Sequence, residues 1–290
     1  MFFKSKKSTL AKKNSLIGLA FISPWVLGFL LFTLYPLINS VMISLSAVTI
    51  KPDHMELKWA GLEYFNHALN VNTRFKLHLS STSMMICYST PVVIVFSLIV
   101  AIFLNQKFAG RSFFRTVFFM PVIIMSGPVK SRLLTGHTVD FTNDGSQIMI
   151  FLSGLPDFLR KPCLFVLDNL VLILWFSGVQ ILIFLAGLQK ISPSLYEAAD
   201  IDGASSWEKF WKITLPHIAP LTLICTVYTV VDISNYSGNA VNGDITDNLF
   251  STSMMYSLSA AMSWIYFGVV ILILIAVYLI FMLLGRKGKA

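Results

Sequence analysis

The chain has 290 residues, of which 56% are hydrophobic and 12% charged, and its formal net charge is +8. Soluble domains carry roughly 25% charged residues, so a water-covered globule is excluded. The apolar residues fall in runs long enough to cross a bilayer, which takes about 20 residues per helix.

The N-terminus places Lys4, Lys6, Lys7, Lys12 and Lys13 before an apolar stretch that runs from Leu16 to Val48. That stretch exceeds the roughly 7–15 residues of a signal-peptide core, and no small-residue cleavage site follows it. It reads as an uncleaved first span, Ile17–Ser46, interrupted by Pro24 and Pro36. Five further spans are expected: Leu77–Leu104, Phe113–Leu134, Asp168–Gln189, His217–Tyr236 and Ala260–Leu284. The fold class is therefore all-α, a polytopic membrane bundle of about six helices forming one domain over 1–290. The connecting segments 49–76, 136–165 and 237–257 are polar and look too short to fold alone, and Trp59–Phe65 mixes aromatic and charged residues as interfacial segments do. Cys87, Cys163 and Cys225 have no metal-ligand spacing and read as structural thiols.

Lys and Arg counts orient the bundle. With the N-terminus inside, the five N-terminal lysines join Lys107, Arg111, Arg115, Lys190, Lys209, Lys212, Arg286, Lys287 and Lys289 on one side, 14 of the 22 basic residues. Both termini are then cytoplasmic, with basic tails at 1–16 and 286–290, and so is the loop 190–216.

That loop is the most informative stretch. Pro193 and Ser194 offer a helix start, with Glu197 in the first turn, where the helix dipole favours an acid. Gly203 suits a left-handed helix stop. Ser205 and Ser206 can cap a second helix with Glu208 close behind, on which Trp207, Phe210 and Trp211 recur at i, i+3 and i+4. Leu215-Pro216 is expected to end the element. By pattern alone, an amphipathic pair lying on the membrane surface fits as well as a docking element.

The residues Gly187-Leu188-Gln189-Lys190-Ile191-Ser192-Pro193, then Glu197-Ala198-Ala199-x-x-Asp202-Gly203-Ala204 and Phe210-x-x-Ile213-Thr214-Leu215-Pro216, resemble the signature loop of permease subunits of binding-protein-dependent ABC importers. The carbohydrate, maltose-type branch is the nearest match. Phe21–Trp25 through Phe32–Pro36 resembles that branch's first span, Phe113–Thr116 to Pro121 the start of its third, and Ser259–Phe267 the sixth span of oligosaccharide members. The resemblance implies the type I importer permease fold in a bacterial or archaeal cytoplasmic membrane. It makes the loop a coupling helix that docks on a cytoplasmic ATPase, with Glu197 as docking acid, Ala198 and Ala199 as the close-contact surface, and Asp202, Gly203 and Ala204 forming the turn. It implies as partners a second permease subunit, a dimer of ATP-binding subunits and an extracytoplasmic solute-binding protein, with a carbohydrate as cargo. One departure is Ile191-Ser192-Pro193 where members often have Ile-Pro, which leaves the helix start uncertain by a residue.

No G-x-x-x-x-G-K-[ST] run occurs, so ATP is not bound through a P-loop, and no metal, cofactor or catalytic constellation is expected. Asp140-x-Thr142-x-Asp144-Gly145 has Phe151 where a calcium loop needs Glu. Polar residues inside spans are functional candidates. Gln180, Asp232, Asn235 and Tyr236 are the expected substrate contacts, although helix–helix bonding is the competing role for each. Asp232 lies 15 residues after His217 and Lys130 the same count after Arg115, so an ion pair of Asp232 with Lys130 or Arg132 stays open. Alternatives at this level are an ABC importer for another solute, a secondary transporter or channel, or a membrane-embedded enzyme or scaffold.

Overall fold

The computed structural model describes residues 5–50, 55–106, 108–124, 154, 156, 160, 164, 170–236, 238–250 and 255–287. In chain order it contains α1 (Ser5–Phe29), α2 (Tyr35–Ser44), strands β1 (Ser46–Ile50) and β2 (Met55–Trp59), and α3 (Glu63–Asn66). There follow α4 (Thr73–Asn105), α5 (Arg111–Ile124), α6 (Leu170–Gln189), α7 (Pro193–Ile201) and α8 (Ser206–Lys209), then α9 (Leu215–Ser234), α10 (Ala240–Leu249) and α11 (Tyr256–Lys287). Five helices among the described residues are long and apolar enough to cross a membrane: Ile17–Ser44, Thr73–Asn105, Leu172–Gln189, Ser206–Ser234 and Tyr256–Leu283. They coincide with the expected first, second, fourth, fifth and sixth spans. The start of the third is α5, and its remainder lies outside the described residues. In hydrocarbon no water can satisfy backbone N–H and C=O groups, so apolar runs of this length close their own hydrogen bonds as helices.

Two of these helices carry a π turn just ahead of a proline. Leu30–Leu34 precedes Pro36 and Phe210–Thr214 precedes Pro216. Tyr35 N–H bonds to Leu30 O, and Leu215 N–H to Phe210 O, both five residues back. A proline ring clashes with the carbonyl four residues earlier, and widening the turn before it removes that clash. This corrects the expectation that Leu215-Pro216 ends the loop element: the chain stays helical from Ser206 to Ser234.

The chain forms two compact units, Met1–Lys76 with Asp244–Tyr266, and Leu77–Gly243 with Phe267–Ala290. In the first, β1 and β2 pair antiparallel from Ser46↔Trp59 to Ile50↔Met55. Val48 N–H donates to Ser257 Oγ at 3.0 Å, tying this hairpin to the start of α11. The hairpin was not expected from the sequence: Met55-Glu56-Leu57-Lys58-Trp59 alternates apolar with charged residues, but over only five positions. Arg74 Nε reaches Asp244 at 2.9 Å, and that carboxylate is nearly fully buried. The apolar side chains of the first span, including Phe21, Trp25 and Phe32, are largely exposed, as lipid or a partner helix permits.

The core of the second unit forms around α6. Phe184, Leu188 and Ile181 meet Ala101 and Leu104 of α4 and Ile218 and Cys225 of α9 in one cluster. Ile173, Trp175 and Phe176 meet Ile86, Val93, Val230 and Tyr236 in the other. At Gly187 a Cβ would come within 2.1 Å of Leu221 Cδ1, so the absence of a side chain lets α6 approach α9.

Candidate functional site

The loop between α6 and α9 is built from local signals that each do one job. Ser192 is extended (φ −63°, ψ 131°) and Pro193 opens α7, where a missing N–H costs nothing. The helix therefore starts early enough that Glu197 falls in its second turn, and no acid occupies the first. The expected dipole benefit to Glu197 is lost for that reason.

At the other end Gly203 adopts φ +76°. Ala204 N–H bonds to Ala199 O at 2.9 Å and Gly203 N–H to Asp200 O at 3.1 Å. That pair of bonds is the Schellman termination, which requires a left-handed residue after the cap. The chain reverses at once into α8. Ser205 Oγ accepts from Glu208 N–H at 3.3 Å, while Glu208 Oε2 accepts from Ser205 N–H at 2.9 Å. This is the reciprocal capping box that the Ser-x-x-Glu spacing announces. The Ser205 N–H and hydroxyl, with Lys212 behind them, hold the Glu208 carboxyl below its ordinary value.

Two tertiary ties then fix the pair of helices. Lys209 Nζ pairs with Asp200 across the turn, and Tyr196 Oη meets Thr214 Oγ1 at 2.8 Å. Behind the loop lies a cavity of about 570 Å³, reached by Asn105 at the end of α4, the following Gln106, Tyr196, Lys209 and Thr214. On the open side Glu197, Ala198, Asp202 and Gly203 are exposed, with Ala199 and Ala204 half-buried. Ile201 is 88% and Trp207 68% exposed. The rings of Trp207, Phe210 and Trp211 form the expected single aromatic face, with Trp207 and Trp211 centroids 5.5 Å apart. All six expected docking residues thus share one short helix and its turn. The Lys209–Asp200 and Tyr196–Thr214 ties were not foreseen. The only available signal was that Asp200 and Lys209 flank the same turn with opposite charge.

The polar residues of the spans are dispersed. Gln180 is fully buried, and its Nε2 donates to Thr229 Oγ1 of α9 at 2.8 Å. Thr229 gives its own proton to Cys225 O at 2.7 Å, which fixes the Gln180 amide as the donor and leaves its Oε1 buried with no partner among the described residues. Tyr236 is buried, its ring edge-on to Phe176 at 5.6 Å. Asp232 is half-buried, and Asn235 is exposed, with its side-chain amide on Val231 O at 3.0 Å. Lys130 and Arg132, the possible partners of Asp232, lie outside the described residues, as does the Asp140–Gly145 segment. Several other hydroxyls inside the spans donate to the carbonyl one turn back, as Ser83 does to Leu79, Thr90 to Ile86 and Thr226 to Thr222. That is the usual satisfaction of a Ser or Thr inside a helix.

The family described as binding-protein-dependent transport system inner membrane component matches residues 148–287. The arabinooligosaccharide transport system permease protein AraP of Bacillus subtilis is 34% identical over 217 residues, 73% of this chain and 66% of that protein. The multiple sugar-binding transport system permease protein MsmF of Streptococcus mutans is 30% identical over 213 residues, 65% of this chain and 68% of that one. A chain from the crystal structure of a bacterial ABC transporter involved in the import of the acidic polysaccharide alginate shares the fold. It superposes with a TM-score of 0.65 at 19% identity, over 95% of this chain and 98% of that one. With its apolar spans and the capped helix pair between two of them, the chain belongs to the family of binding-protein-dependent transport system inner membrane components, as an ABC transporter permease and not itself an enzyme.

Proposed function

We propose that this chain forms one half of the translocation pore of an ATP-driven importer for a carbohydrate, most directly an oligosaccharide. Residues 1–290 act as one permease domain with both termini and the 190–216 loop in the cytoplasm. A second permease completes the pore, an extracytoplasmic solute-binding protein delivers the sugar, and a dimer of ATP-binding subunits docks on the loop. Glu197, Ala198, Ala199, Asp202, Gly203 and Ala204 make that contact. Gln180, Asp232, Asn235 and Tyr236 contribute to the path of the sugar.

The observation that carries the reading is the rigid, exposed helix pair. A helix closed by a Schellman turn and tied back through Asp200–Lys209 and Tyr196–Thr214 transmits a push from outside the membrane to α9, with which α8 is continuous. A pair that merely rested on lipid would need neither tie. The sugar assignment is supported by the names of the relatives, an arabinooligosaccharide system and a multiple-sugar system.

The test is co-purification of the chain with its partners, followed by a measurement of which sugars stimulate ATP hydrolysis in the complex. Glu197→Arg should abolish stimulated hydrolysis and uptake while leaving the two permeases assembled. Uptake driven by an ion gradient with no ATP consumed would overturn the reading.

A further inference from the structure

Within the first unit a cavity of about 280 Å³ opens between α2, α10 and the start of α11. Its polar lining is Asn39 and Ser40 from α2 with Tyr256, Ser259 and Ser263 from α11, and among the described residues its remaining walls are apolar and no charged residue lines it. Ser259 is 2% exposed, and its hydroxyl has no hydrogen-bond partner among the described residues. Other buried helical serines behave differently: Ser97 donates to Val93 O at 2.6 Å and Ser234 to Val230 O at 2.6 Å. Buried hydroxyls are almost always satisfied, so an orphan at a cavity wall calls for a ligand. Ser40 Oγ accepts from Trp264 Nε1 at 3.3 Å, which fixes it with its own proton still to give. Ser263 gives its proton to Ser259 O at 2.8 Å and keeps lone pairs to accept. Asn39 adds an exposed carboxamide, both donor and acceptor.

Uncharged donors and acceptors from α2 and α11, mixed with apolar side chains and a Tyr ring, suit a neutral polyhydroxylated ring, whose hydroxyls and C–H face need both kinds of surface. The volume is about nine times a water's share of the liquid and falls near the lower end of ligand pockets, roughly 300 Å³. We infer that this cavity is a second carbohydrate subsite, one sugar ring in size, formed by elements other than those that carry Gln180 and Asp232. The inference rests on the oligosaccharide-importer reading and adds to it a site for one sugar ring. In the proposed orientation the site lies on the side from which the solute-binding protein delivers. Ser259 donates to a ring oxygen or hydroxyl, and Asn39 and Ser40 bind the neighbouring hydroxyls.

The test uses the assembled complex in proteoliposomes, with Cys87, Cys163 and Cys225 replaced by alanine and Leu249→Cys introduced on the half-buried apolar wall of the cavity. Lactose, maltotriose and arabinotriose are offered, and labelling of the new thiol by a small methanethiosulfonate is timed with each sugar that stimulates ATP hydrolysis. A transported trisaccharide should slow labelling about fivefold or more. Ser259→Ala should remove that protection and raise the half-saturating concentration of the trisaccharide while maximal ATP hydrolysis is retained, which also shows that the variant is folded. A trisaccharide that is transported with the labelling rate unchanged overturns the subsite and leaves the importer reading standing. Failure of every sugar to stimulate ATP hydrolysis in the complex with intact Leu249 and Ser259 overturns the importer reading itself.

Discussion

Replacing Gly203 separates backbone conformation from contact, because nothing lies within 4 Å of where its Cβ would be. Gly203→Ala therefore meets no obstacle, and its whole cost is that of holding an L-residue at φ +76°. That cost is roughly 1–2 kcal/mol, and Asn, which tolerates the left-handed region, should recover most of it. If the turn must keep both of its bonds, 2.9 Å from Ala204 to Ala199 and 3.1 Å from Gly203 to Asp200, the strain appears as weaker docking. At 1.4 kcal/mol per tenfold, the expected loss for Ala is about five- to thirtyfold in apparent affinity for the ATP-binding subunit. The assay is titration of that subunit onto the purified permease pair, read by sugar-stimulated ATP hydrolysis. Gly243→Ala is the internal control, since it also meets nothing within 4 Å, sits inside a helix and has no positive φ. It should be neutral or slightly stabilising. The reasoning is refuted if Gly203→Ala matches the wild type, or if Asn and Ala are equally impaired.

Reversing both charges of the Lys209–Asp200 pair should restore coupling that either single reversal weakens. Asp200 is well exposed, so the interaction energy from the double-mutant cycle should be about 0.2–1 kcal/mol and shrink with salt; a coupling of zero at low ionic strength would show that the tie is not formed in solution. Thr229→Val alone strands the buried Gln180 amide and should cost about 0.6–1.7 kcal/mol in micellar unfolding. Adding Gln180→Leu should return most of this, because both polar partners are then gone. If the double variant unfolds normally yet loses transport, Gln180 acts on the sugar; if it transports normally, its role ends at Thr229. The lowered Glu208 pKa means that its support of the α8 start is complete above the ordinary carboxylate range and disappears as pH falls through the folded value. Trp207 fluorescence should report loosening on acidification, and Glu208→Gln, which removes the titrating carboxyl, should abolish that pH dependence; loosening on alkalinisation instead would contradict the capping geometry.

Elements whose causes are local can be read from the chain without its fold. Long apolar runs must be helices in hydrocarbon, and Pro193, Gly203 and the Ser205-x-x-Glu208 spacing dictate where the loop helices start and stop, as the bonds at each end attest. The same signals misjudged Glu197's turn and the break at Pro216, because helix onset and the π turn depend on how neighbouring residues share carbonyls. Which polar groups are already engaged depends on how the helices pack. Gln180 is held by a threonine 49 residues away, Arg74 by Asp244, and Thr82 by Asn239 at a separation of 157. Periodicity places a side chain on a helix face, but the partner on the facing helix is set by packing over distances no local pattern encodes. For that reason the caps and the glycine stop of the 190–216 loop were legible in the sequence, while the orphan hydroxyl of Ser259 emerged only once α2 and α11 were folded.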